Sequence, residues 1–264
     1  MSDELERFPA FEAASAESNV PQETDELFGG RPFRLRLITF VTLGLLIIWP
    51  LSNLLFTTDP AEMIEMLAAN PIIFYVTTIV FLWMIFALVY LAVWRENQSL
   101  LEIGLTRFKS IHIFWSLSFF MASALVLVGL ESLLTSMGYP TLGELELLLP
   151  DTNVERIWWV ALSFTAGFCE EIAFRGYLMT RLWRMTPKSW PRPTRHVIIV
   201  AISSVVFGVG HTYQGLAGFV LITAYGIMIA LLFLRTRSLW PCIWAHFLLD
   251  FYNIFVPFME NNNP

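Results

Sequence analysis

Seven apolar stretches, each near the length a helix needs to cross a bilayer, dominate the chain after its first thirty residues. They run over about 37–56, 72–94, 111–133, 157–180, 196–213, 216–234 and 239–257. A helix needs roughly 20 residues to cross the hydrocarbon core. Hydrophobic residues make up 56% of the sequence and charged residues 14%, whereas a soluble globule carries about 25% charged residues. The soluble reading is excluded. The fold expected is an all-α polytopic membrane protein, a bundle of seven transmembrane helices, or eight if an extra half-helix is present. Pro50 falls inside the first span, where a kink is expected.

Residues 1–30 are polar and acidic, with Arg7 the one base, and lack a basic segment followed by an apolar one. They read as a disordered cytoplasmic tail rather than a cleaved signal. Residues 31–264 form the expected transmembrane domain. Many of the acids behind the net charge of −6 lie in the tail. The expected partners are the lipid bilayer and a membrane-associated peptide or protein; no nucleic acid is expected, and the oligomeric state is not readable. Cys169 and Cys242 sit in apolar segments and read as small buried hydrophobes.

Basic residues near span ends set orientation. Arg31, Arg34 and Arg36 precede the first span. Arg95, Arg107 and Lys109 lie in the next such loop, then Arg181, Arg184, Lys188, Arg192 and Arg195, then Arg235 and Arg237. The alternate loops carry Asp59, Glu62 and Glu65, then Glu144, Glu146 and Asp151. Arg156 is the one base out of pattern. Seven spans with a cytoplasmic N-terminus fit this alternation, and an eighth half-helix would flip the C-terminus.

Charge at bilayer depth is expensive, roughly 2.5–3.5 kcal/mol for a side chain at the helix centre on insertion scales. His112 and His196 sit at span edges and read as interfacial. The strongly polar residues inside spans then concentrate in three helices: Glu170, Glu171 and Arg175 in the fourth, His211 closing Phe207-Gly-Val-Gly-His in the fifth, and Cys242, His246, Asp250 and Asn253 in the seventh. Glu171 and Arg175 are four apart and stack on one helix face. Glu170 is rotated by about 100° from Glu171, which leaves Glu170 free for acid–base work while Glu171 stays paired. His246 and Asp250 are again four apart. Gly208 and Gly210 allow close helix approach, expected to bring His211 toward the fourth span.

Each feature alone has a bland reading: a structural ion pair, an interhelical hydrogen bond, an interfacial histidine. Together on three helices they suit metal binding, proton transfer or hydrolysis. Depth is the hard constraint. At roughly 1.5 Å per residue, Glu170 and His246 fall about 10–12 Å from the inner edge and His211 nearer 20 Å. Tilt, or a fifth helix that starts in the cytoplasm, reconciles them.

Glu170-Glu171-Ile-Ala-Phe-Arg175, Phe207-Gly-Val-Gly-His211 and His246-Phe-Leu-Leu-Asp250, in this order on separate spans, resemble the CPBP family of intramembrane proteases. That family comprises the CAAX prenyl endopeptidases of Rce1 type and the bacteriocin-processing group. The resemblance covers about residues 155–255, the motif-bearing core. It implies hydrolysis of a peptide bond in a membrane-associated substrate. Glu170 and His211 would activate water, Glu171 and Arg175 would support the site, and His246 and Asp250 would stabilise the oxyanion or, in an older view, bind metal. Many members have Asn at the position of Asp250. An ionised Asp accepts hydrogen bonds but cannot donate them, so Asp250 is protonated, orients His246, or binds a cation. No cofactor is required on the favoured reading. Zinc or another divalent cation stays open, with Glu170, His211, His246 and Asp250 as its ligands. The other readings are a non-proteolytic scaffold or immunity protein, and a proton-coupled transporter. A prokaryotic cytoplasmic membrane is the expected location.

Overall fold

The computed structural model describes residues 35–56 and 59–255; the acidic tail expected over residues 1–30 lies outside them. Among the described residues there are eight helices of seven or more residues and no strand. We number them α1 (Leu37–Phe56), α2 (Pro60–Ala68), α3 (Pro71–Arg95), α4 (Ser110–Ser136), α5 (Asn153–Met185), α6 (Arg192–Val209), α7 (Gly215–Thr236) and α8 (Leu239–Tyr252).

All seven apolar stretches form helices, but they are not equal. Helices α3, α4, α5, α6 and α7, the last with its preceding turn, are long and apolar enough to cross a membrane. The apolar part of α1 is shorter, Leu37–Ser52. Helix α8 has 14 residues and spans about 21 Å, short of the roughly 30 Å hydrocarbon core. The chain is an integral membrane protein. Helix α2 was not foreseen. Its signal is local: Asp59 accepts a hydrogen bond from Ala61 N and Pro60 opens the helix, the pairing of a capping acid with a proline at the first position. Asn70 and Pro71 repeat the device at α3.

Burial sorts the helices into two layers. Only 17% and 11% of the apolar windows of α3 and α4 are buried, against 56% and 50% in α5 and α6. Helix α5 is central, packed between α3 and α8, while α6 pairs with α7 and α4 lies across α7 and α8. Met84, Leu125 and Val128 on α3 and α4 are exposed, as a lipid-facing surface requires.

Three close approaches fix the centre. A Cβ on Gly167 would lie 2.8 Å from Ile243 O and 3.0 Å from Phe247 N, so α5 meets the backbone of α8 there. Gly208 does the same for α6 and α7, where a Cβ would collide with Thr223 Oγ1. Gly208 was expected to draw His211 toward the fourth span; its contact is with α7 instead. At the third, Gly104 has φ +101° and its added Cβ would meet the Phe233 ring at 2.6 Å. Gly104 O accepts a hydrogen bond from Leu239 N at 2.8 Å, which caps the buried start of α8.

The basic loops are partly structural. Arg181 is fully buried and donates through Nε to Glu96 Oε2 at 3.0 Å. Arg195 donates to Trp183 O at 2.6 Å and lies 3.7 Å over the Trp183 ring. The edge histidines have local partners too: His112 Nδ1 accepts from Lys109 N at 3.2 Å, and His196 stacks on Trp183 at 4.7 Å. Cys169 and Cys242 are free and buried.

Candidate functional site

Helix α5 changes character where its charges sit. Residues Glu171–Leu178 are wound as π-helix between α-helical flanks, and all eight are buried. Such wide turns inside helices cluster at functional sites. The pair expected from the i,i+4 spacing is present: Arg175 Nη1 donates to Glu171 Oε1 at 3.0 Å, with both side chains fully buried.

Glu171 has a second partner that spacing could not disclose. His246 Nδ1 lies 2.9 Å from the same Glu171 Oε1. The other ring nitrogen, Nε2, is 3.5 Å from Asp250 Oδ2 and 3.9 Å from Glu170 Oε2. One imidazole therefore stands among three carboxylates. The Gly167 contact makes this possible, because it brings α5 against α8 one turn from Glu171 and beside His246. A glycine in a helix interior is costly, and that cost was the one local signal of a close approach.

His211 lies beyond the end of α6, where its Nδ1 bonds Phe207 O at 2.9 Å. Phe207 is packed from several sides. The Arg175 guanidinium sits 4.3 Å over its ring, and the His211 and His246 rings lie 5.0 and 6.1 Å away. One aromatic ring thus spaces the arginine and both histidines.

Glu170, His211, His246 and Asp250 line one cavity of about 320 Å3. Glu171 and Arg175 stand behind them, fully buried. A second cavity of about 430 Å3 shares Glu170, Phe207, His211 and Tyr213 as walls and continues between Trp49, Leu67, Phe74 and Phe81. The depth problem resolves through helix ends. Helix α5 runs to Met185, so Glu170 lies about 22 Å from its C-terminal end; His211 lies about 28 Å from the start of α6 at Arg192. Helix α8 begins already buried at Leu239, which lets a residue two turns into it reach the same level.

Sequence reasoning missed Trp159, Tyr213, Gln214 and Tyr225 in the cavity wall. Trp159 Nε1 donates to Asp250 O at 2.9 Å, tying α5 to the end of α8. Asn253 lines the cavity as well, whereas Cys242 turns to backbone carbonyls of Ile229 and Ser238. Single aromatic residues in apolar spans carry no spacing signal. Among the described residues no three His, Cys, Asp or Glu side chains stand close enough together to hold an ion as they are placed. The contact of His246 Nδ1 with Glu171 leaves Nε2 as the free nitrogen of that ring.

A protein-family model described as type II CAAX prenyl endopeptidase Rce1-like matches residues 152–252. No curated protein and no solved structure matches the chain. The matched residues run from the cap of α5 through the end of α8, and so contain all three charged helix segments of the cavity. Over these residues the chain is similar to the CAAX prenyl endopeptidases of Rce1 type, which supports a protease of the CPBP kind.

Proposed function

We propose, on the premise that residues 152–252 are a CPBP endopeptidase domain, that the chain hydrolyses a peptide bond of a membrane-associated substrate in this cavity, with Glu170 and His211 activating the water. The observation that carries this reading is the division between neighbours. Glu170 and His211 line both cavities, while Glu171 is sealed behind them on Arg175.

The hydrogen bond from His211 Nδ1 to Phe207 O leaves Nε2 as the acceptor of the neutral ring. A water between Nε2 and the Glu170 carboxylate loses its proton as its oxygen attacks the scissile carbonyl carbon. Glu170 receives that proton and delivers it to the departing amine nitrogen, the usual work of a general base turned acid. Negative charge grows on the carbonyl oxygen and needs a positioned donor. His246 Nε2 faces that oxygen. Its Nδ1–H is held by Glu171, so Nε2 donates when the ring carries both protons. Asp250, 3.5 Å from Nε2, orients the ring. Arg175 fixes Glu171, and through it His246.

The second cavity suits an apolar group on the substrate, since Trp49, Leu67, Phe74 and Phe81 wall it. A prenylated C-terminal peptide is the substrate class we favour. The alternation of basic loops supports a cytoplasmic N-terminus, and a prokaryotic cytoplasmic membrane is the location we favour.

The test uses a fluorogenic farnesylated CAAX peptide and purified protein in liposomes. Glu170→Gln and His211→Ala should each lower cleavage by roughly 10²–10⁴-fold with unchanged thermal unfolding. Undiminished cleavage in both variants sinks the protease reading, and a scaffold tolerates Glu170→Gln outright. Elemental analysis, with assays in chelator, decides the metal question. Stoichiometric zinc and chelator-sensitive cleavage would replace the glutamate-activated water by one held on Glu170, His211, His246 and Asp250.

A further inference from the structure

Among the described residues, Tyr225 is the cavity-wall side chain whose buried polar group has no hydrogen-bond partner. It is 2% exposed, and its Oη has no protein hydrogen-bond partner among the described residues. Burying a hydroxyl without a partner costs about 1–3 kcal/mol, so a phenylalanine would be the more stable choice for packing alone. The ring is fixed. It meets the His246 ring edge-on at 5.7 Å, and Phe119 packs on it at 6.1 Å. Next to it, Gly226 lets α7 close onto α6, where a Cβ would lie 3.1 Å from Ser204 Cα. The side chain is thus carried on a rigid element beside His246, and Tyr225 lines the cavity with Glu170, His211 and Asp250.

The donor count of the site points to its use. An oxyanion is held best by two donors. His246 offers a single nitrogen, Nε2, because Nδ1 is taken by Glu171. Asp250 offers none while ionised, since a carboxylate only accepts. Glu170 has to be a base and cannot donate before it has taken the proton of the water. Tyr213 Oη is engaged as the acceptor of Gln214 Nε2 at 3.1 Å. The Tyr225 hydroxyl, buried beside His246, makes no hydrogen bond in either role among the described residues.

We propose that the Tyr225 hydroxyl is a catalytic residue, the second donor to the oxyanion, supplying the hydrogen bond that an aspartate at position 250 does not. It donates to the former carbonyl oxygen as water adds, and takes the hydrogen bond back when the carbonyl re-forms and the amine leaves. No proton changes owner at Tyr225. This inference rests on the endopeptidase reading.

The experiment compares wild type, Glu170→Gln, Tyr225→Phe and Tyr225→Phe/Asp250→Asn on the same farnesylated peptide. Wild-type cleavage that Glu170→Gln abolishes establishes the protease reading. Tyr225→Phe should then lower kcat on the order of a hundredfold with KM within about twofold. Its unfolding temperature should be equal or higher, because an unpartnered hydroxyl has been removed. Adding Asp250→Asn supplies an amide donor and should restore at least about tenfold of the lost kcat. Wild-type kcat in Tyr225→Phe overturns the proposal while leaving the protease reading intact. A loss that Asp250→Asn leaves untouched assigns the hydroxyl to positioning, and also overturns it. An inert wild type, or an active Glu170→Gln, removes both.

Discussion

Helix α5 carries two buried carboxylate–arginine clusters about two turns apart, and they are built to opposite specifications. At Glu96 every oxygen is occupied: Oε1 accepts from Thr39 Oγ1 at 2.7 Å and Tyr177 Oη at 2.8 Å, and Oε2 accepts from Arg181 Nε and Nη2. This cluster ties α1, α3 and α5 together. At Glu171 one oxygen serves both Arg175 and His246, while Glu171 Oε2, Arg175 Nε and Nη2, and Tyr225 Oη have no hydrogen-bond partner among the described residues. A saturated polar network rigidifies a core, and an unsaturated one bears a cost that only another use explains. The first cluster reads as a rivet. The second stands behind the cavity residues with several of its polar atoms unpaired.

Breaking each cluster should separate these roles. The largest effect on folding is expected from Glu96→Ala, which leaves Arg181 buried without its carboxylate, at a cost of about 3–5 kcal/mol. Thermal unfolding in detergent should show it, while cleavage per folded molecule stays near wild type. Glu171→Ala should lose comparable stability by stranding Arg175, but should also remove activity, because His246 is no longer held. Equal activity loss in both variants would erase the distinction.

A smaller effect compares two buried tyrosines. Tyr177 donates to a charged oxygen, so Tyr177→Phe should cost about 1.5–3 kcal/mol. Tyr225→Phe should cost no stability and lose turnover. A cost of about 1–3 kcal/mol, with some relief by backbone shift, is expected of Gly167→Ala. Its new methyl would press on Ile243 O and Phe247 N. Activity should fall further than stability, since the same displacement carries His246 from Glu171. A Gly167→Ala variant with normal cleavage would show that the spacing of α5 and α8 is not what aligns the site.

What could be read from the sequence divides along the same line. Positions set by local periodicity were legible: the apolar helices, the Glu171–Arg175 stack, and the separation of Glu170 from its neighbour. The bond from His246 to Glu171 was not, because the two positions are 75 apart in the chain and only packing joins the two helices. Helix α2 carried a readable signal in Asp59-Pro60 that the weight of acidic residues masked. The short α8 could not be foreseen from hydropathy, since the apolar run continues past Tyr252 while the helix gives way to a turn at Asn253–Phe255. Tyr225 carries no spacing signal in its apolar run; its meaning depends on which atoms fail to find it.

The wide turns of Glu171–Leu178 have a consequence for inheritance as well as geometry. They lie between Glu171 at the cavity and Arg181 at the rivet, so they set the phase of one cluster against the other. Removing a single residue there would rotate everything after it by about 100°, and Arg181 would swing off Glu96. Substitutions can drift through this segment one side chain at a time, but its length cannot change without unfastening the wall on which the site is mounted.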